Sequence, residues 1–358
     1  MKLEDLGYTE TFEKFRIENN SENFEVGRVI EENKERYIVR TENNEYEAEV
    51  TGNMRYNANG REDFPAVGDW VFLTAVDNDF AVIHRLFPRF SKIQRHQAGK
   101  SSDVQIIAAN IDYALIVTAA DRDFNLNRIE RYLTICYTSK VEPIIVLTKT
   151  DLISENLTSE IMDSIKQRLE SVNAISVSNE TKSGYIDLIK IFQKGKTYCL
   201  LGSSGVGKST LLNNLSGKEI MKTDTISKST ERGRHITTRR ELILLEGGGL
   251  LIDNPGMREV GITDDKTGIS ETFDNIISLS NKCKFRDCKH TNEIGCAVLA
   301  AIESGELEKG SYDNFMKMER ERIHYEESSS ERKRKEKIFG KILKDYNKKD
   351  IKGRRGIN

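Results

Sequence analysis

The sequence predicts three parts in series: a small all-β barrel, an α/β domain on a mostly parallel sheet, and a helical C-terminal region around a Cys/His cluster. Three observations predict this. Between Phe24 and Arg95, short runs rich in Val, Ile, Tyr and Phe alternate with Asn- and Asp-rich turns. From Asn110, buried-strand patterns alternate with helical ones, as in βα units. After Thr272 the strand patterns stop, and Cys283, Cys288, His290 and Cys296 fall within 14 residues.

A length of 358 residues suits two or three domains at about 100–200 residues each. Lys and Arg number 55 against 57 Asp and Glu, so overall charge names no partner. No apolar run approaches the roughly 18 residues needed to cross a bilayer. The start, Met1-Lys2-Leu3-Glu4-Asp5-Leu6, lacks an apolar signal core. Five cysteines are too few, and odd in number, for a disulfide framework. The composition excludes a membrane protein, a secreted disulfide scaffold and a disordered chain, and predicts a soluble cytoplasmic protein.

Residues 1–22 show no clear period and are expected to form a loosely attached arm. Within 23–96, Phe24–Ile30, Arg36–Arg40, Tyr46–Val50, Trp70–Ala75 and Phe80–Leu86 are strand-sized. Five short strands at this spacing fit an OB-type β-barrel, and equally another small barrel or sandwich. Phe87, Arg89, Phe90, Lys92 and Arg95 mix aromatics with cations, which suits either RNA contact or ordinary barrel closure.

The α/β domain is expected over 97–272. Its strands are Ile111–Ala119, Ile144–Leu147, Ala174–Ser178, Lys196–Leu201, Glu241–Leu245 and Gly249–Asp253. Helices Leu126–Thr138, Ser159–Ser171, Gly184–Phe192 and Lys208–Leu215 lie between them. Cys136 and Cys199 fall singly in a helix and a strand and read as core residues. Within 273–358, the stretch Glu331–Asn358 holds twelve Lys or Arg against four Asp or Glu. This tail is either a phosphate-contacting segment with steep salt dependence or a solvated face.

Gly202-Ser203-Ser204-Gly205-Val206-Gly207-Lys208-Ser209 matches G-x-x-x-x-G-K-[ST] between a predicted strand and a predicted helix. The glycines let backbone N–H groups converge on phosphate oxygens, and the helix N-terminus, from Ser209 and Thr210 onward, adds positive potential. Lys208 is expected to reach the β- and γ-phosphates, and Ser209 to ligate Mg²⁺.

Thr148-Lys149-Thr150-Asp151 follows a buried strand and resembles the guanine-reading [NT]-K-x-D motif of GTPases. Guanine presents two adjacent donors that a buried Asp151 carboxylate accepts; adenine has no such pair, so it leaves acceptors unmatched. Ser176 and Ser178 close the next strand, where a backbone contact to the base is expected. Asp253-Asn254-Pro255-Gly256 ends another apolar strand and resembles a D-x-x-G motif: Asp253 would hold Mg²⁺ through water, and the Gly256 N–H would sense the γ-phosphate. Between phosphate loop and Asp253 lies Gly233-Arg234-His235-Ile236-Thr237-Thr238, where Thr237 or Thr238 would ligate Mg²⁺ in the triphosphate state.

Ordinary GTPases run phosphate loop, switch, D-x-x-G, [NT]-K-x-D. Here the base-reading motif precedes the phosphate loop, so the domain is circularly permuted, and the chain leaves the second switch directly into the C-terminal region. Met257 stands where many GTPases carry a water-positioning Gln, and a thioether cannot orient water. His235 is therefore the local catalytic candidate; alternatively it is solvent-exposed or touches RNA. Cys283, Cys288, His290 and Cys296 form a Cys₃His set, four ligands that close a structural Zn²⁺ site.

Taken together, these residues resemble the RsgA family of small-ribosomal-subunit-dependent GTPases, also called YjeQ or YloQ. The resemblance rests on Ala109-Asn110-Ile111-Asp112, TKTD, GSSGVGKS, DNPG and Cys-Lys-Phe-Arg-Asp-Cys-Lys-His in permuted order. The family's switch reads G-x-H-T-T-T; here one Thr is Ile236. The resemblance implies a circularly permuted P-loop GTPase domain with an N-terminal OB-type β-barrel and a C-terminal helical zinc-binding domain. It also implies one structural Zn²⁺, Mg²⁺ with GTP, and partners in GTP or GDP, the small ribosomal subunit, its 16S rRNA and other assembly factors. No membrane partner is implied, and the chain is expected to act as a monomer. Late subunit maturation with subunit-stimulated hydrolysis is the implied role; a nucleotide-gated RNA-binding module with incidental hydrolysis, or an ATP-using P-loop enzyme, is the alternative.

Overall fold

A computed structural model describes residues 1–33, 36–96, 104–121, 124–217, 240–253, 266–323 and 326. The chain divides into two compact units, Met1–Gly261 and Ile262–Asn358. Among the described residues, no helix is long and apolar enough to cross a membrane.

In the first unit, strands β1 (Glu25–Asn33), β2 (Arg36–Arg40), β3 (Glu45–Val50), β4 (Trp70–Ala75) and β5 (Phe80–Leu86) lie in the order 1-2-3-5-4. β4 also pairs with β1, so the sheet closes. All pairs are antiparallel except β3 with β5. Alternation explains the packing. In β3, Tyr46, Ala48 and Val50 are buried while the intervening glutamates are partly exposed. The inward residues meet Val29, Val39, Val71, Leu73 and Ile83 in the barrel core. Closure removes the open edges that a five-stranded sheet would otherwise expose.

The arm expected to be loose is docked. A short 3₁₀ turn, Leu3–Leu6, precedes α1 (Glu10–Glu18), and Leu6 and Phe12 are buried. Tyr8, Phe12 and Phe15 recur at helical spacing and meet Trp70, Phe72 and Phe87. Phe87 is buried and stacked 4.0 Å from Phe72, and Arg89 clasps Asp69 through paired contacts while reaching the carbonyls of Glu62 and Phe64. Of the two readings for this cluster, closure holds for Phe87 and Arg89: one ring is in the core, and the guanidinium is already bonded. Phe90 is exposed, and Lys92 lies 3.8 Å from Glu62.

Two further strands, β6 (Lys92–His96) and β7 (Val104–Ala109), pair antiparallel across the expected boundary at residue 96. The next strands are β8 (Tyr113–Ala119), β9 (Glu142–Thr148), β10 (Asn173–Ser176), β11 (Thr197–Leu201), β12 (Arg240–Leu244) and β13 (Leu250–Asp253). They form a sheet in the order 10-9-8-11-13-12, parallel except for β12. Both faces are covered, as the continuous apolar runs demand. On one face Ala114, Ile116, Cys199, Leu201 and Ile252 pack with α3 (Leu126–Thr138) and α4 (Glu155–Arg168) through Ile129, Leu133 and Ile165. On the other, Leu115, Val117, Leu200 and Leu251 pack with α5 (Tyr185–Lys190) and α6 (Lys208–Ser216) through Leu188, Leu211 and Leu212. α4 starts before the expected Ser159 because Ser154 caps it, accepting from the Leu157 N–H. Cys136 and Cys199 are buried, and burial pushes both thiols up, away from reactivity.

β12 also pairs with β1 at Glu31↔Glu241 and Glu32↔Arg240, so barrel and α/β domain share one sheet. Beneath that seam Arg28 is fully buried and donates to the carbonyls of Leu6, Gly68 and Asn110, joining arm, barrel and α/β domain. Burial pulls its guanidinium down to about 10, so it remains charged at neutral pH.

In the second unit, α7 (Lys266–Thr272), α8 (Asp274–Ser280), α9 (Ala297–Ser304) and α10 (309–323) enclose Ile269, Phe273, Ile276, Val298, Leu307, Phe315 and Met318. Because Ile269 belongs to this core, α7 goes with the C-terminal unit, ahead of the expected boundary at 272. The tail 331–358 lies outside the described residues.

Arg28→Met removes one donor fork from three buried carbonyls. The expected loss is about 3 kcal/mol or more, read as a drop in the urea midpoint. Arg28→Lys restores little of it, since one ammonium cannot span three acceptors.

Candidate nucleotide site and metal-binding cluster

β11 runs into the loop Gly202–Ser209, and α6 begins at Lys208, with Ser209 and Thr210 in its first turn. The sequence demands glycine here for steric reasons. Gly202 has φ 147°, and a Cβ there would lie 2.3 Å from the Val117 carbonyl oxygen. Gly207 has φ 91°, and a Cβ would lie 2.7 Å from Asn179 Nδ2. Val206 is buried and anchors the loop, whereas Ser204 and Gly205 at its tip are exposed. Lys208 Nζ donates to the carbonyls of Gly202, at 2.8 Å, and Ser203.

Thr148 ends β9 and is fully buried. Its hydroxyl lies 2.6 Å from the Val206 carbonyl and 3.1 Å from that of Thr118. One proton serves one acceptor at a time, and the shorter distance assigns it to Val206. Lys149 adopts φ 60°, and its ammonium lies 2.7 Å from Asp121. Asp151 sits on the 3₁₀ turn Thr150–Leu152, and its Oδ1 accepts from the Ser178 hydroxyl at 2.7 Å. Ser178 is buried and also accepts from the Thr181 N–H, so its rotor is fixed and the carboxylate with it. Asp151 itself is exposed, contrary to the buried carboxylate expected; a stacked base would have to withdraw it from water. Ser176 is the last residue of β10, beside Leu147 of β9.

The structure thus brings TKTD, Ser176, Ser178 and the Gly202–Ser209 loop to the carboxyl ends of β9, β10 and β11 in one sheet, with β8 between β9 and β11, the usual ligand crevice of an open α/β sheet. Asp253 ends β13, the strand that pairs with β11, so its backbone lies on the same rim. His235, Thr237, Thr238, Gly256 and Met257 lie outside the described residues. Sequence reasoning missed Asn179. Its side chain donates to the Gly207 carbonyl at 3.0 Å, yet Ser-Asn-Glu-Thr reads only as a turn.

In the C-terminal unit the donor atoms of Cys283, Cys288, His290 and Cys296 all lie within 4.8 Å of one another. Cys283 Sγ is 3.6 Å from His290 Nδ1 and 3.9 Å from Cys296 Sγ, and His290 Nδ1 is 3.4 Å from Cys296 Sγ. A tetrahedron with Zn–S near 2.3 Å and Zn–N near 2.0 Å has edges of roughly 3.5–3.8 Å. Cys283, His290 and Cys296 stand at these separations and Cys288 Sγ lies within 4.8 Å of each, so the set could bind one Zn²⁺, His290 turning Nδ1 toward the sulfurs. Leu299 N–H donates to Cys296 Sγ, and the Tyr312 hydroxyl bonds the His290 carbonyl at 2.7 Å, holding the knuckle to its helices. Elemental analysis should find one zinc per chain. Cys283→Ser should release it and abolish the melting transition of the C-terminal helices.

A profile of the RsgA GTPase family matches residues 86–263. The small ribosomal subunit biogenesis GTPase RsgA 1 of Oceanobacillus iheyensis is 43% identical over 326 residues, covering 87% of this chain and 91% of its own. YloQ, described as a circularly permuted GTPase, is 26% identical and superimposes with a TM-score of 0.62 over 84% of this chain and 96% of its own. YjeQ from Thermotoga maritima shares the fold, with a TM-score of 0.63 at 24% identity over 84% of this chain and 98% of its own. Motif order, site geometry and near full-length identity agree: the chain belongs to the RsgA GTPase family.

Proposed function

We propose that the protein is a GTPase that binds the small ribosomal subunit, hydrolyses GTP to GDP and phosphate there, and assists late subunit maturation. The observation that supports this reading is the 2.6 Å contact of Thr148 with Val206, which joins the TKTD segment to the Gly202–Ser209 loop despite their reversed order. Asp151, oriented by Ser178, would accept from N1 and the 2-amino group of guanine; Lys149 would lay its stem along the nucleoside. The N–H groups of Gly202–Thr210 and the Lys208 ammonium would hold the phosphates. Ser209, Asp253 and Thr237 or Thr238 would hold Mg²⁺, whose charge offsets that gathering on the β- and γ-oxygens. His235 would position the attacking water, because Met257 cannot. Support for the ribosomal role comes from the relatives' names and from the Lys- and Arg-rich tail, which suits 16S rRNA phosphates. The cytoplasm is the place for such work, monomeric binding to the subunit and displacement of other assembly factors its form.

Two measurements test this. Turnover of GTP should rise at least tenfold with purified small subunits and not with large ones, and excess ATP should not compete. Unstimulated turnover unaffected by subunits would favour a nucleotide-gated RNA-binding module, which Met257 leaves open. His235→Ala should abolish the stimulated rate while leaving GDP affinity within twofold; unchanged turnover removes His235 from the role.

A further inference from the structure

Resting on the nucleotide site just proposed, we infer that Asn179 is a positioning residue that aims the phosphate loop from the base-reading side of the pocket. Asn179 directly follows Ser178 and is buried. Its Nδ2 donates to the Gly207 carbonyl at 3.0 Å, while its Oδ1 accepts from the Tyr185 hydroxyl at 2.8 Å. Asn214, on the helix that follows the phosphate loop, donates through Nδ2 to the Asn179 carbonyl at 3.1 Å and to Tyr185 Oη at 2.8 Å.

The proton directions in this network are determined. Asn214 Nδ2 can only donate, so the Tyr185 oxygen accepts there and its single proton goes to Asn179 Oδ1. That choice turns the other end of the Asn179 amide, the donor, onto Gly207. Burial pushes the Tyr185 phenol up to about 12, so the proton is present throughout the physiological range. The relay runs one way, from α6 through α5 to the loop.

What the relay fixes follows from peptide geometry. In a trans peptide the C=O and the next N–H point in opposite directions. Thr148 pulls the Val206 carbonyl toward the base-reading strand, and Asn179 does the same to Gly207. The N–H groups of Gly207 and Lys208 therefore point away from those side chains as a pair. With Gly207 left-handed and Lys208 helical, two such amides form an anion-binding concavity. Thr148 belongs to the recognised base-reading motif; Asn179, sharing the Gly207 carbonyl with the Leu211 N–H that donates to it at 2.9 Å, holds the second amide of the pair, the one on Lys208. Gly207 is required in turn, because the Asn179 amide occupies the space of a Cβ.

The test compares GDP with IDP, which lacks the 2-amino group that Asp151 would read. Affinities are measured for the full chain and for Asn179→Ala, Asn179→Asp and Tyr185→Phe, with thermal melts for each. Asn179→Ala should weaken GDP and IDP by the same factor, about tenfold, the worth of one buried hydrogen bond. Asn179→Asp keeps the shape and the Tyr185 bond but has no donor for Gly207, and should lose at least as much. Tyr185→Phe, which frees the amide to flip, should lose less than Asn179→Ala, again equally for both nucleotides. Folded Asn179→Ala and Asn179→Asp proteins that bind GDP within twofold of the parent overturn the inference, even if their melting points fall. So does a loss confined to GDP, which would place Asn179 in base reading instead. Failure of the parent chain itself to bind GDP would overturn the proposed function, a different result.

Discussion

The contact between the Thr148 hydroxyl and the Val206 carbonyl is the constraint on which the site depends. It joins residues 58 apart in sequence, is sealed in the core, and leaves no water to compete for the bond. Of the two residues that the [NT]-K-x-D motif admits at this position, Thr148 is the shorter arm. Thr suffices because β9 and β11 flank β8, and the close packing of Val117, Val206 and Leu211 brings the loop within reach of a short arm. The sheet order, rather than the chain order, thus determines which residues meet. Cutting and rejoining a chain elsewhere leaves a set of parallel strands unchanged, so TKTD placed early and the Gly202–Ser209 loop placed late still share a rim.

Much of this was legible in the sequence because the relevant signals are local. Gly202, Gly205 and Gly207 are demanded by backbone angles, and Cys283, Cys288, His290 and Cys296 stand at ligand spacing that the fold gathers into one cluster. Each can be read within a short window. The five barrel strands were likewise announced by alternation and turn residues, and their observed order selects the closed arrangement from the alternatives that strand count left open.

What stayed hidden depends on contacts between distant segments. The arm has few apolar residues, but Tyr8, Phe12 and Phe15 find their partners on β4 and just beyond β5, far along the chain. For Arg89 the sequence left RNA contact and barrel closure equally open, and Asp69, 20 residues earlier, decides for closure. Arg28 is an unremarkable strand residue in sequence, and only the fold converts it into a buried clamp on three carbonyls. Asn179 shows the same limit inside the site: nothing near it in sequence foretells a carbonyl of Gly207. Pairwise demands of this kind become visible only when topology places both partners.

The apolar layer running from Leu6 and Trp70 through Ile111 to Ile252 ignores the border that motifs draw between barrel and α/β domain. Neither part owns enough of that layer to keep it dry alone. Heat or denaturant should therefore meet Met1–Gly261 as one cooperative block, and a fragment cut at the motif border would carry a raw hydrophobic face into solution.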